Sequence, residues 1–419
     1  MPKILTYQKG SIVYFEGDKD DRIFILQSGQ IILTSTNLET GLNDVEQIHI
    51  GEFFGLKSAL SHMPRMETAN VLSEAKVVVL SVAEFENTFS KNQNIMLKML
   101  RVFSARLRDL HKKTEEILND NTQVQKPEEA MLNVAKNFFN DGQFHSASEE
   151  CQHILNLYPG ADNIKQIESL KKNAEEQAKT EEPFMIDSSL AEKKNANKTS
   201  LSAFSSPVFQ RFTRNYESGD VIISEYEPGN SFFVIEEGEV QLLKNINGGH
   251  KTLDILHAGE FFGEMAILDN SPRSATCIAR GKVKCLIFDK DNFGSLVTGN
   301  PQMVMVLLKL FCKRIYDQRR MFKILCIKDI PARIADVFCM YDEQDKSDEK
   351  LDPDNNKRTF SLTYGDIAHW AGISLEDCQN ELNSYVERHK IEIFDNRIVV
   401  RNINDMKRIV DNYYMAHNS

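Results

Sequence analysis

The strongest chemical signal lies between Phe262 and Thr276, where Phe262-Gly263-Glu264-Met265-Ala266 is followed by Pro272-Arg273-Ser274-Ala275-Thr276. A turn at Gly263 leaves backbone N–H groups to face an anion, Arg273 can set two parallel donors on phosphate oxygens, and Glu264 can accept from a sugar hydroxyl. Two opposite charges then serve two parts of one small molecule, as a cyclic phosphate would require. The plainer alternative is a surface salt bridge between Glu264 and Arg273 on a β-sandwich.

The elements that must position these residues recur along the chain. Gly10, Gly29, Gly51-Glu52-Phe53-Phe54-Gly55 and Pro64-Arg65 return as Gly219, Gly238, Gly259-Glu260-Phe261-Phe262-Gly263 and Pro272-Arg273 in almost constant register. Short apolar runs such as Ile23-Phe24-Ile25-Leu26 and Phe232-Phe233-Val234-Ile235 lie between turn residues, so each copy is predicted to be a small antiparallel β-roll. A helix-period segment follows each, from Asn92 to about Leu118 and from Pro301 to about Leu325. In the second, Val304, Leu307, Leu308, Phe311 and Ile315 form an apolar stripe that serves either core packing or a homodimer seam along residues 301–325.

At these residues the chain resembles the phosphate-binding cassette of cyclic-nucleotide-binding domains. The resemblance implies that Glu264 takes the ribose 2′-OH and Arg273 the cyclic phosphate, with Gly263, Met265, Ala266, Ser274 and Ala275 around them. The nucleobase in such domains is read from the long helix after the roll, and alignment on Asn300-Pro301 brings Gln318-Arg319 to that place. Ser274 resembles the cAMP-type pocket, so the regulatory ligand expected is cAMP before cGMP, with no other cofactor and no metal. The upstream copy keeps Gly55, Pro64 and Arg65 but has Leu56 at the carboxylate position, Ser58 at the small residue and Glu67 in place of Ala275. Loss of the hydroxyl acceptor costs about 1–3 kcal/mol, and Glu67 is expected to neutralise Arg65. The first roll is therefore expected to have lost this ligand, the alternative being a different one.

Beyond the first roll, Val134-Ala135, Phe138, Gly142, Phe144, Ala147, Ile154 and Pro159 fall at tetratricopeptide-like spacings. One such unit cannot bury its own face, so it reads as a helical connector that packs on a neighbour or extends the first long helix. Past the second long helix, Lys328-Asp329-Ile330-Pro331 reads as a hinge with Asp329 as N-cap, and Asp342 to Lys357 as an acidic, disordered loop. Ala368, Gly372 and Cys378 then stand at the packing spacings of a helix–turn–helix, followed by a two-stranded wing around Asp395-Asn396. Together with the cassette this resembles the Crp/Fnr regulator family. DNA contact would fall to Thr363, Ser374, Leu375, Glu376, Gln379 and Asn380. The segment Ser374 to Tyr385 holds no lysine or arginine, and from Ile330 onward acids exceed bases by about six, contrary to a usual DNA footprint.

Length and composition set the remaining bounds. A chain of 419 residues suggests roughly three or four domains, and the net charge of −11 weakens any general attraction to nucleic acid. Seven cysteines, an odd number with no C-x-x-C pair, read as free thiols, and isolated histidines such as His257, His369 and His389 lack metal-ligand spacing. With no leader-like start and no long apolar run, the expectation is a cytoplasmic protein without membrane contact. No P-loop or nucleophile elbow is present, so no enzyme is expected.

The expected fold is thus α+β and multidomain. A degenerate β-roll with its long helix spans 1–120, a helical tetratricopeptide-like connector 125–177, a flexible linker 178–203, a ligand-binding β-roll with its long helix 204–327, and a winged helix–turn–helix 328–419. The function expected is cAMP-responsive transcription regulation. The alternative is a cyclic-nucleotide receptor that acts through protein contacts made by the N-terminal domain and connector, with a winged helix that no longer reads DNA.

Overall fold

The computed structural model describes residues 2–36, 43–89, 92–118, 126–179, 207–246, 249–269, 271–290, 292, 301–344, 356–394 and 397–417. Two compact units emerge, Met1–Thr88 with Phe311–Ser419, and Phe89–Leu310.

In the first unit the N-terminal roll comprises β1 (Lys3–Tyr7), β2 (Ile12–Tyr14), β3 (Ile23–Thr36), β4 (Asn43–Ile48), β5 (Phe53–Phe54), α1 (Leu56–Ser61), β6 (Thr68–Leu80) and α2 (Val82–Phe89). The strands pair antiparallel in the order β1-β6-β3-β4, with β2 on β6 and β5 on β3. Alternation along β3 and β6 sends Phe24, Leu26, Ile31, Val71 and Val77 inward, where they pack with Tyr14 and Phe54.

The second unit opens with the long helix α3 (Gln93–Leu118) and the connector helices α4 (Pro127–Asn140), α5 (Phe144–Leu157) and α6 (Ile164–Ala178). Its roll repeats the first as β7 (Thr213–Tyr216), β8 (Val221–Ile223), β9 (Ser231–Ile246), β10 (Gly249–His257), β11 (Phe261–Phe262), α7 (Glu264–Asp269) and β12 (Thr276–Asp289), in the order β10-β9-β12-β7. The repeat extends to backbone detail. Gly29 and Gly238 have φ of 92° and 88°, and a Cβ on either would lie 2.3 Å from the carbonyl oxygen of Glu74 or Lys282, so only glycine fits. The connector covers its apolar face by sharing a core with this roll: Val134, Phe138, Ala147 and Ala174 pack with Val221, Leu243 and Ile278. The expected linker begins at the end of α6, and residues 180–206 lie outside the described residues.

A second long helix, α8 (Pro301–Cys326), follows. Val304, Leu307, Leu308, Phe311 and Ile315 are each at most 2% exposed within the single chain, so the stripe is occupied by packing. The first unit closes with α9 (Ile330–Gln344), β13 (Arg358–Phe360), α10 (Tyr364–Ala371), α11 (Leu375–Glu387), β14 (Ile391–Phe394), β15 (Arg397–Val400) and α12 (Ile403–His417), the strands ordered β13-β15-β14. Arg320 of α8 forks onto the Asp336 carboxylate of α9 at 2.7 and 2.6 Å in a buried pair. Asp329 caps α9 by accepting from the Ala332 N–H at 3.0 Å. The acidic loop expected from Asp342 does not begin there: Asp342 is helical and buried, held by Arg358 at 2.7 Å and Lys407 at 2.9 Å. Two cations remove the reason for that carboxylate to stay in water. Residues 345–355 and the turn Asp395-Asn396 lie outside the described residues.

Candidate functional site

The second roll builds its cassette where β11 turns into α7. Phe262 is anchored by stacking on Phe233, with ring centres 4.9 Å apart, and Gly263 takes φ 80° to reverse the chain into a helix that starts at Glu264. Glu264 is 1% exposed, and Met265, Ala266 and Ala275 are buried around it. Arg273 enters from the loop between α7 and β12 and is folded inward. Its Nη1 donates to the Gly263 carbonyl at 2.6 Å, its Nη2 to Ser231 Oγ at 3.2 Å, and its Nε lies 3.7 Å from the Glu227 carboxylate. Burial pulls the Arg273 pKa down, and Glu227 is the main charge opposing that shift. A compact buried cluster thus places a carboxylate and a guanidinium beside a positive-φ turn.

Supports from the preceding loop are equally tight. A Cβ on Gly229 would meet Ala266 Cβ at 2.2 Å and Arg273 at 3.0 Å, so this glycine lets the loop close on the cassette. The Tyr226 N–H donates to the Arg273 carbonyl at 3.0 Å from a left-handed backbone, φ 72°. Lys244 donates to the Ser274 carbonyl at 3.1 Å and pairs with the buried Glu225 at 2.5 Å. Glu227 also faces His153 of α5 at 3.5 Å. Beside His153, Glu150 is fully enclosed and accepts from Ser224 Oγ at 2.5 Å. Burial pushes the Glu150 pKa up to about 8.

The first cassette has the same frame with other contents. Arg65 Nη1 donates to the Gly55 carbonyl at 2.5 Å, as Arg273 does to Gly263, while its Nη2 donates to the Arg22 carbonyl at 2.6 Å. Its guanidinium lies 4.5 Å from the Tyr14 ring centre, and Leu56 is buried at the carboxylate position. The expected neutralisation of Arg65 by Glu67 is corrected: the carboxylate beside Arg65 is Asp20, at 3.2 Å. Glu67 instead faces Arg319 of α8 at 4.0 Å. Two residues further along, in the bend just before β6, the Glu67 side chain meets α8 instead of the arginine.

The cyclic nucleotide-binding domain family matches residues 4–92 and 213–300. The chain thus carries two segments that match this domain, together less than half of its length. Over 82 residues it is 37% identical to a cAMP-dependent protein kinase regulatory subunit of Mucor circinelloides f. lusitanicus, covering 20% of this chain and 19% of that protein. Over 187 residues it is 23% identical to a CRP-like cAMP-activated global transcriptional regulator of Mycobacterium tuberculosis, covering 44% of this chain and 82% of that protein. The match thus spans about a fifth of the kinase subunits' length. Among solved structures, a CooA mutant from Carboxydothermus hydrogenoformans is similar at 18% identity and TM-score 0.43, over 52% of this chain and 96% of that one. The Toxoplasma gondii PKA regulatory domain with cAMP is similar at 16% identity and TM-score 0.21, over 71% and 83%.

Within the second cyclic nucleotide-binding domain, the sequence singled out Gly263, Glu264, Met265, Ala266, Arg273, Ser274 and Ala275, and the structure brings them together around α7. Arg319, which alignment took to the ligand's base together with Gln318, stands at Glu67 of the first domain. Ser231, Glu227, Gly229 and Lys244 had no signal beyond a Pro228-Gly229 turn. Among the described residues no helix is long and apolar enough to cross a membrane, and all seven cysteines are free.

In the C-terminal segment, Thr363 caps α10 through a reciprocal box with Asp366, and Gly372 ends that helix at φ 63°. Ser374 caps α11 by accepting from the Asp377 N–H at 3.0 Å. Leu375 is 51% exposed, and Glu376, Asp377, Gln379 and Asn380 are also exposed. The outer face of α11 is therefore polar, acidic and without a cation.

Proposed function

We propose that the chain is a cyclic-nucleotide-responsive regulator that binds cAMP, in preference to cGMP, in the second domain. The carrying observation is Arg273, buried and aimed at the Gly263 turn beside the buried Glu264. Phosphate oxygens would take the Arg273 donors now spent on the Gly263 carbonyl and Ser231, and the ribose 2′-OH would donate to Glu264. Met265, Ala266, Ser274 and Ala275 complete the wall. The protein's own chemistry in this reading is binding alone, with no catalysis and no metal. The connector is a tetratricopeptide-like helix pair, and the C-terminal segment a winged helix in which α11 engages DNA, with Thr363, Ser374, Leu375, Glu376, Gln379 and Asn380 nearest the duplex.

The exposed acids of α11 favour a second reading of the output, docking on a protein instead of DNA, since phosphates repel Glu376 and Asp377. Calorimetric titration of the full chain with cAMP tests the ligand: one site is expected, lost in Arg273→Ala and kept in Arg65→Ala. Two equal sites, or none, would overturn it. A mobility-shift assay on genomic fragments at low salt tests the output, and a cAMP-dependent, sequence-preferring shift is the result DNA recognition requires.

A further inference from the structure

A ligand held by Glu264 and Arg273 leaves its base to be met by whatever else walls the cassette. Among the described elements of the second unit, the strand β9 and the helix α3 make the main contacts with α7. The strand offers Phe232 and Phe233, buried and engaged in ring stacks with Phe288 and Phe262, and its polar groups at the cassette are already engaged, Ser231 by Arg273 and Lys244 by Ser274 and Glu225. The helix offers Arg108, whose Nη1 reaches the Pro272 carbonyl at 3.5 Å, one residue from Arg273. Yet α3 follows the first roll in the chain, so the second cassette is walled by a helix from the other repeat.

The internal repeat supplies a second, independent line. The offset that relates Gly55 to Gly263 and Arg65 to Arg273 also relates Gln93 to Pro301, the first residues of α3 and α8, and places His111 at the counterpart of Arg319. It likewise makes Ala275 the counterpart of Glu67. In the first unit, Arg319 on α8 faces Glu67 at 4.0 Å, so that helix position overlies that cassette position. Transferred to the second unit, the register sets His111 above Ala275. Where the first cassette fills this space with an ion pair, the second has a methyl group and leaves room for a base.

We propose that α3, carried by the first repeat, forms the base-reading wall of the second repeat's nucleotide pocket, with Arg108 and His111 facing the purine. Arginine supplies donors only, whereas a neutral histidine offers one donor and one acceptor, which suits a mixed purine edge. The degenerate domain is then retained for the helix it delivers. A ligand that draws on α3 biases the segment joining the two repeats, which makes the first domain part of the response without a ligand of its own.

This rests on the cAMP reading of the second cassette, and the test separates the two. Full-length Arg108→Gln, His111→Gln, Arg319→Gln, Arg273→Ala and, on the opposite face of α3, Arg106→Gln are titrated calorimetrically with cAMP and with cGMP. Arg108→Gln and His111→Gln are expected to weaken cAMP by about tenfold and to change the cAMP-to-cGMP ratio, while Arg106→Gln does neither. A merely structural helix contact would weaken both nucleotides equally, and that result overturns the proposal. So does a changed ratio in Arg319→Gln with none in the α3 variants. If Arg273→Ala abolishes binding while both α3 variants bind like wild type, the pocket stands and the α3 wall falls. If wild type binds neither nucleotide, both fall.

Discussion

Glu227 is the group in the second cassette that competes with a ligand for Arg273, and Glu227→Gln isolates that competition. Its carboxylate lies 3.7 Å from Arg273 Nε, with side-chain exposures of 14% and 3%. Two unit charges at that distance attract by about 4 kcal/mol at an effective dielectric near 20 and about 1 kcal/mol at the value of water. His153, 3.5 Å away on the other side, draws off part of the carboxylate's field, so the lower half of that range applies. An incoming phosphate must overcome this attraction and the repulsion between two anions. The amide keeps the shape of the side chain, and the backbone bond from the Arg273 N–H to the Glu227 carbonyl at 2.9 Å is untouched. We expect Glu227→Gln to bind cAMP about five- to thirtyfold more tightly, equivalent to about 1–2 kcal/mol, by titration calorimetry at matched salt. Because the pair is shielded from solvent, the gain should persist at raised ionic strength. Unchanged or weaker binding in a variant that melts like wild type would refute the reasoning and make Glu227 an organiser of Arg273.

Three further outcomes are expected. The Glu150 pKa is raised by burial from 4.5 to about 8, so the folded state holds a proton that the unfolded state releases. Its stabilising contribution is complete below pH 4.5 and is lost as pH rises toward 8. For His153, burial pulls the pKa down but Glu227, Glu150 and Glu149 outweigh it, leaving a net upward shift with the same sign of pH dependence. The melting temperature should therefore fall between pH 5 and 8, and Glu150→Gln should flatten that slope; an identical slope in the variant rejects the assignment. Gly229→Ala forces a methyl into Ala266 and Arg273 and should cost about 1–3 kcal/mol in denaturant unfolding, with weaker cAMP binding; wild-type stability would show that the loop yields freely. Thr363→Ala removes the box that caps α10 and should cost about 1 kcal/mol, measured by the same unfolding, with no change in cAMP affinity.

Much of this architecture was legible because glycines and arginines punctuate the chain at fixed places. Gly29 and Gly238 are forced by a backbone carbonyl 2.3 Å from any Cβ, so the repeat survives in residues that no other type can replace. Gly372 and Cys378 stand where they do for a similar reason, since Gly372 ends α10 in a left-handed backbone and Cys378 is fully buried in α11. What escaped the reading were long-range choices of partner. Glu67 lies two residues from Arg65 in sequence but faces Arg319, while Arg65 turns back onto Gly55 and Asp20, because the irregular backbone just before β6 lets the two side chains diverge. Asp342 looked like the start of an acidic loop, but Arg358 and Lys407, distant in sequence, draw it into the core.

The sequence by itself determined that two β-rolls of one design exist, that both keep the cassette arginine, and that the second carries Glu264 and Ala275 where the first carries Leu56 and Glu67. These are properties of local turns and alternation, which each segment expresses within a few residues. Only the tertiary structure decided which helix covers which cassette and that the connector completes the core of the second roll. An amphipathic helix advertises an apolar face but not its partner. Any roll of matching width offers similar burial, and the choice rests on contacts such as Arg108 to Pro272 and Arg319 to Glu67, which join residues far apart in the chain.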